Sequence, residues 1–140
     1  MQLIEVPHGS ELYRQAVALR HRLLREPLGL QFSEAQLAAE TAERHWVALI
    51  QDRVVGSVTL QHGAPPRLRQ MVVDEPHQHR GIGRELVAIA ESAARDAGAT
   101  ALELHAREVV TGFYLRCGYH IVSEPYLEVG IPHVTMEKRF

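Results

Sequence analysis

Gln78, His79, Arg80, Gly81, Ile82 and Gly83, followed by Arg84, stand between an apolar run ending at Val73 and a long amphipathic segment. A turn that feeds a helix start presents backbone N–H groups with no intrahelical partner, at the positive end of the helix dipole. Such a turn is a candidate anion site, for phosphate in particular. Gly81 and Gly83 would let a ligand approach the main chain closely, and Arg80 and Arg84 could add charge-assisted hydrogen bonds. The spacing is not that of a P-loop, because no Gly-Lys-Ser/Thr follows. It is not the dinucleotide fingerprint either, because Leu86 stands at the third glycine. A plain strand-to-helix turn would use the same residues, so the segment alone leaves both readings open.

Other reactive types carry less. There are nine histidines. His77 and His79 lie two apart in a turn, and no pair has a cysteine or carboxylate at ligand spacing, so no metal is expected. Cys117 directly precedes a helix-ending Gly118 and reads as a packing residue rather than a nucleophile. Arg14, Arg20, Arg22 and Arg25 read as a solvated helix face, or as the border of a substrate cleft with the Pro-Leu-Gly-Leu loop at 27–30.

The elements that must position these residues follow from periodicity and punctuation. Residues 2–6 alternate as a strand. Ser10 caps a helix to about Leu24, with Leu12, Ala16, Leu19 and Leu23 at helical spacing. Pro27 and Gly29 break the chain. Ser33 and Gln36 form a capping box for a second helix to about Glu43. A hairpin spans 46–60, turning at 51–53, and residues 68–73 form the next strand. The strongest helix covers 81–97, with Leu86, Ala90, Ala93, Ala94 and Ala97 on one face and Gly98 at its end. A strand at 101–105, a short helix at 110–117 and strands near 119–122 and 134–139 complete the chain. This order predicts an α+β sheet with helices on both faces, and a right-handed parallel crossover over 68–105.

A length of 140 residues fits one domain, 1–140, and 46% apolar residues suffice for a core. A net charge of −2 argues against a large nucleic-acid footprint. The lone cysteine excludes an internal disulfide, and no apolar run approaches a membrane span. With no signal peptide at the start, the expected location is cytoplasmic.

Four segments resemble one family. Gln78 to Gly83 matches the Q/R-x-x-G-x-G/A pyrophosphate loop of the GNAT superfamily of N-acetyltransferases. Gly112-Phe-Tyr-Leu-Arg-Cys-Gly-Tyr119 resembles its F-Y-x-x-x-G-F segment, and Val55-Gly-Ser-Val-Thr-Leu60 its V-G-x-x-x-L strand. The tail from Tyr126 to Met136 looks like the E-D-G-I-P-H-x-x-M ending of the ElaA-like branch. The four occur in the family's order and cover nearly all of the chain.

The resemblance implies a twisted, mostly antiparallel sheet of about seven strands with splayed central parallel strands. It also implies acetyl-CoA as co-substrate and a primary amine of a small molecule or peptide as acceptor. The main chain of Gln78, His79, Arg80, Gly81, Ile82, Gly83 and Arg84 would then cradle the pyrophosphate. Met71, Val72 and Val73 would pair with the pantetheine arm, with the Val72 or Met71 N–H polarising the acetyl carbonyl. Splaying the strands calls for a bulge. Tyr114 matches the family's frequent general acid. His105 and His133 are the leading candidates for the base, beside Glu103 and Glu128, and Glu128 or Glu124 could attract a cationic amine. Arg107 replaces the family's common Asn or Gln and could reach a CoA phosphate or the acceptor. The alternative is a CoA-binding regulatory or interaction module without turnover. Edge strands of such a sheet offer a homodimer contact.

Overall fold

The computed structural model describes all 140 residues, Met1 to Phe140. The order is β1 (Gln2–Val6), α1 (Glu11–Arg20), α2 (Glu34–Ala38), β2 (Arg44–Ile50), β3 (Arg53–Gln61), β4 (Arg67–Val73), α3 (Ile82–Asp96), β5 (Ala101–Arg107), α4 (Thr111–Arg116), β6 (His120–Ile121), β7 (Tyr126–Glu128) and β8 (Ile131–Arg139). The strands form one sheet in the order β1-β2-β3-β4-β5-β8-β6, with β7 paired to β8. Only β4 and β5 are parallel. This is the expected mixed α+β sheet with one strand more than anticipated. No helix is long and apolar enough to cross a membrane.

Alternation along β2 divides the interior in two. Trp46 and Ala48 join the larger core with Leu86, Val87 and Ala90 of α3. Val47 and Leu49 join a smaller core with Tyr13 and Ala16 of α1. Helices therefore cover both faces, and each hydrophobic stripe meets the strand residues of matching phase.

The first two helices are shorter than their patterns predict. After Arg20 the chain widens into a π-type turn, His21–Arg25, and then a 3-10 turn, Glu26–Leu28. Pro27 supplies no N–H to continue an α-helix. Ser33 and Gln36 do form both halves of the capping box. Beyond Ala38, however, the N–H groups of Glu40, Thr41 and Glu43 bond three residues back, in turns. The cause lies in Glu40, which is 2% exposed. Its carboxylate accepts from Arg20 at 3.0 and 2.8 Å and from the Tyr13 hydroxyl at 2.8 Å. Its carbonyl lies 3.0 Å from His45 Nε2. Arg20, 1% exposed, is thus a buried ion-pair partner and not part of a solvated face.

His45 sits inside this network, with Nδ1 at 3.0 Å from the Thr59 hydroxyl. Burial holds its pKa below the ordinary 6.5, outweighing the hydrogen bond and charge of Glu40. A depressed folded-state pKa gives stability that is complete above the unfolded value and is lost as pH falls. Unfolding stability is therefore expected to decline as pH drops below about 6.5. Denaturant titrations across that range should show a flatter profile for His45→Gln.

In β4 the register against β3 moves from Thr59↔Arg69 to Ser57↔Val72, which gives β4 one extra residue. Gln70 takes the strain at φ 54°. The parallel partner strand is paired only at Arg67↔Glu103 and Leu68↔Leu104. Beyond that point β4 and β5 diverge, and the bulge marks where they part.

Candidate functional site

The divergence opens two cavities that meet at Met71, Val110 and Tyr114. The first, about 660 Å³, lies between the end of β4, residues 77–84 and α4. The second, about 340 Å³, lies on the far side of Tyr114, between β4, β5 and the β7–β8 hairpin.

The first cavity is a wall of main-chain donors. A 3-10 turn, Glu75–His77, carries the chain from β4, with Pro76 in its first turn. His79 and Gly81 then adopt φ 65° and 84°. None of the N–H groups of His79, Arg80, Gly81, Ile82, Gly83 and Arg84 donates to a backbone acceptor; the first that does is Glu85, to the Gly81 carbonyl at 3.1 Å. Six consecutive free donors at the head of a 15-residue helix have the geometry of an anion cradle. Arg80, Arg84 and Arg116 are exposed around it, Arg116 being one that sequence reasoning missed.

The two glycines have different roles. Gly81 provides the left-handed conformation, and a Cβ there would meet nothing within 4 Å. At Gly83 a Cβ would come within 2.9 Å of Met71 Cε and 3.1 Å of Phe113 Cζ. Gly83 therefore lets α3 pack closely against the Met71 and Phe113 side chains.

The exposed edge of β4 also differs in detail from expectation. The Asp74 N–H donates to the Val55 carbonyl at 2.8 Å, so Asp74 and, two residues back, Val72 point their polar groups at β3. Met71 and Val73 face the opening. The Val73 carbonyl accepts from Gln78 Nε2 at 2.8 Å, which ties the turn to the strand end. Of the two N–H groups named from sequence, Met71 faces the opening and Val72 does not.

Tyr114 is 9% exposed, on α4, and lines both cavities. Its ring packs edge-on to Phe113 at 5.0 Å and Tyr119 at 6.0 Å. Burial, with a smaller contribution from the Cys117 thiol, raises its pKa well above the ordinary phenol value, so it stays protonated.

His105 and His133 come together in the second cavity, joined by Glu128. Glu128 Oε1 lies 2.9 Å from His105 Nδ1, and Oε2 lies 3.5 Å from His133 Nε2. His133 Nδ1 is 2.7 Å from the Ile131 carbonyl. Burial favours the neutral form of Glu128, but the hydrogen bond from His105 and the charges of His105, His133 and Arg67 outweigh it, leaving the pKa below the usual value. Glu103 is more distant, at 3.9 Å from His105 Nε2. Glu124 does not line the cavity. Glu128 reaches its place through β7, the strand that the sequence pattern did not reveal. The β7–β8 turn puts Val129 and Gly130 at φ 46° and 74°, a two-residue hairpin turn in which a β-branched residue is unusual.

Arg107 lies in this second cavity and not at the anion cradle. Its Nη2 donates to the Leu24 carbonyl at 3.3 Å, in the widened turn after α1. No group of three His, Cys, Asp or Glu side chains is arranged to hold a metal ion.

Residues 14–140 match the family model for an acetyltransferase (GNAT) domain. The chain is 36% identical over 73 residues to the uncharacterised N-acetyltransferase YjcF of Bacillus subtilis, over 51% of this chain and 52% of that protein. The matches span about half to two thirds of the length of the curated relatives. Escherichia coli ElaA has the same fold, with a TM-score of 0.86 at 18% identity over 99% of this chain and 100% of that one. An aminoglycoside 6'-N-acetyltransferase complexed with coenzyme A has a TM-score of 0.81 at 18% identity, over 99% and 97%.

Proposed function

Since the chain belongs to the GNAT acetyltransferase family, we propose that it transfers an acetyl group from acetyl-CoA to a primary amine by direct attack in a ternary complex. The observation that carries this reading is the junction of the two cavities at Met71 and Tyr114, with six free N–H groups on one side and the Glu128 carboxylate between two imidazoles on the other.

The residues fit a diphosphate. Oriented N–H groups and the flanking Arg80 and Arg84 match its charge, and the Met71 and Val73 main chain would pair with the amide-bearing arm as an added strand. Acetyl-CoA supplies a thioester activated toward amine attack. The Met71 N–H polarises the carbonyl as negative charge builds on its oxygen. Tyr114, held protonated by burial, donates to the departing sulfur as the C–S bond breaks. On the acceptor side the attacking nitrogen must lose a proton as its bond to carbon forms. Glu128, ionised and bonded to His105, takes that proton directly or through either imidazole.

Titration calorimetry with acetyl-CoA and CoA, followed by thiol-release assays with an amine panel, tests this reading. Saturable binding to the parent protein is expected, weakened at least about tenfold in Gly81→Val, which forces a β-branched residue into a left-handed conformation. Absence of binding at millimolar ligand would sink the assignment. Binding without thiol release from any amine would favour a regulatory CoA-binding module.

A further inference from the structure

We propose that the acceptor amine also carries an anionic group, carboxylate or phosphate, which the second cavity binds through a cluster of guanidinium groups. This deepens the acetyl-transfer reading and rests on it.

Arg25, Arg67, Arg69 and Arg107 all line the 340 Å³ cavity, and Glu128 is the only carboxylate that does. Four positive charges thus face one negative charge. Only Arg69 has a carboxylate partner, Glu43 at a long 3.7 Å. Glu128 is already engaged by His105 and His133. Arg25, Arg67 and Arg107 form no ion pair with a carboxylate.

Each of those three is held by a neutral group. Arg67 donates through Nε to Gln61 at 3.1 Å and lies 3.0 Å, through Nη1, from His105 Nε2. Arg107 donates to the Leu24 carbonyl. Arg25 lies 4.7 Å over the Phe32 ring, with Arg20 also 4.7 Å from that ring. Such anchors fix the planar groups and leave most of their five donors uncommitted. Burial and the charges of Arg20, Arg69 and Arg107 act against protonation of Arg25 and together outweigh the opposing charge of Glu128, as expected where like charges outnumber their counter-ion.

The four come from β4, β5 and the widened turn after α1. They are all half-buried, as expected of a lined recess rather than a solvated patch. A bound anion would relieve their mutual repulsion and use donors that nothing in the protein takes. The volume suits a molecule of roughly amino-acid to dipeptide size. A purely cationic acceptor, such as a polyamine, would meet net repulsion. The carboxylate beside His105 and His133 leaves one place for an ammonium group, next to the groups that would take its proton.

The test uses matched pairs against the full-length protein saturated with CoA: 5-aminopentanoate with pentylamine, 2-aminoethyl phosphate with ethanolamine, and putrescine as the cationic arm. Calorimetry should show binding of the members with an anionic group at least about tenfold tighter than their matches without one, falling with added salt. The two anionic arms distinguish a carboxylate site from a phosphate site. Arg67→Gln and Arg25→Gln should each reduce the preference for the anion-bearing member of each pair by about tenfold, seen in KM more than in kcat. Preference for putrescine or for the amines without an anionic group, or no binding of either anionic probe at millimolar concentration, would overturn the proposal. Binding of CoA itself, measured first, reports separately on the underlying acetyl-transfer reading.

Discussion

Replacing Tyr114 by phenylalanine is expected to lower kcat about 10²–10⁴-fold while leaving acetyl-CoA affinity within about twofold of the parent. The substitution removes one hydroxyl and keeps the ring that packs against Phe113 and Tyr119. In water a phenol of pKa ~10 is a weaker acid than a thiol of ~8.5, so the proton transfer is uphill by roughly 2 kcal/mol. Burial raises the Tyr114 pKa further, which alone would widen that gap. A thiolate leaving into the same junction would itself be less well solvated than in water, and so more basic, which would narrow the gap. What matters is that the hydroxyl is positioned and protonated throughout the working range. The parent rate should therefore show no alkaline fall from Tyr114 ionisation below about pH 10. An unchanged rate at saturating substrates in Tyr114→Phe would remove it from the mechanism.

Truncating Glu40 to alanine is expected to destabilise the fold by about 3–5 kcal/mol, lowering the melting temperature by roughly 10–17 °C. The loss is large because Arg20 would be left charged at 1% exposure with no partner, and the Tyr13 hydroxyl would lose its acceptor. A paired replacement that removes both charges, Arg20→Met with Glu40→Leu, should recover most of the loss, since the pair's desolvation largely offsets its attraction. Chemical denaturation of the single and double variants checks both statements. A single-variant loss below about 1 kcal/mol would mean that water reaches Arg20. The double variant would still lose the Arg20 contact with Phe32, so weaker acceptor binding is expected even where stability returns.

These two residues show how unevenly sequence carries structure. The α3 stripe, the β2–β3 hairpin and the strand leading into residues 78–84 were readable because each is a local pattern: apolar spacing, turn chemistry, a glycine past a helix end. Tyr114 was legible by its motif. The Arg20–Glu40 pair was not, because an arginine on a helix reads as solvated until its partner, 20 residues along, folds back onto it. The shortened α2 has the same origin, since Glu40 leaves the helix to reach inward.

The second cavity was the least legible part. Glu128 is delivered by a hairpin whose turn places a valine in a left-handed conformation, against every propensity rule for that position. Arg67 and Arg69 did leave a signal: two charges at alternate positions in a central strand, where a covered face would want apolar residues. Gln70 left none. A non-glycine residue at positive φ inside a strand follows from the pairing of β3 with β4 and cannot be seen in the strand itself.

Gln70 also limits how β4 can change in length. Side chains alternate between faces along a strand, so one inserted residue reverses the alternation for everything after it. Leu68 packs in the α3-side core, and beyond the bulge it is Met71 and Val73, not Gln70 and Val72, that pack there. The two halves of the strand run in opposite phase. Losing one residue at the bulge would leave Met71 and Val73 on the Leu68 face, now in regular alternation, and would allow the main chain to lie back along β5. Substitutions in this strand alter one side chain at a time; a single lost codon would remove the bulge, and with it the parting of β4 from β5 that opens both cavities.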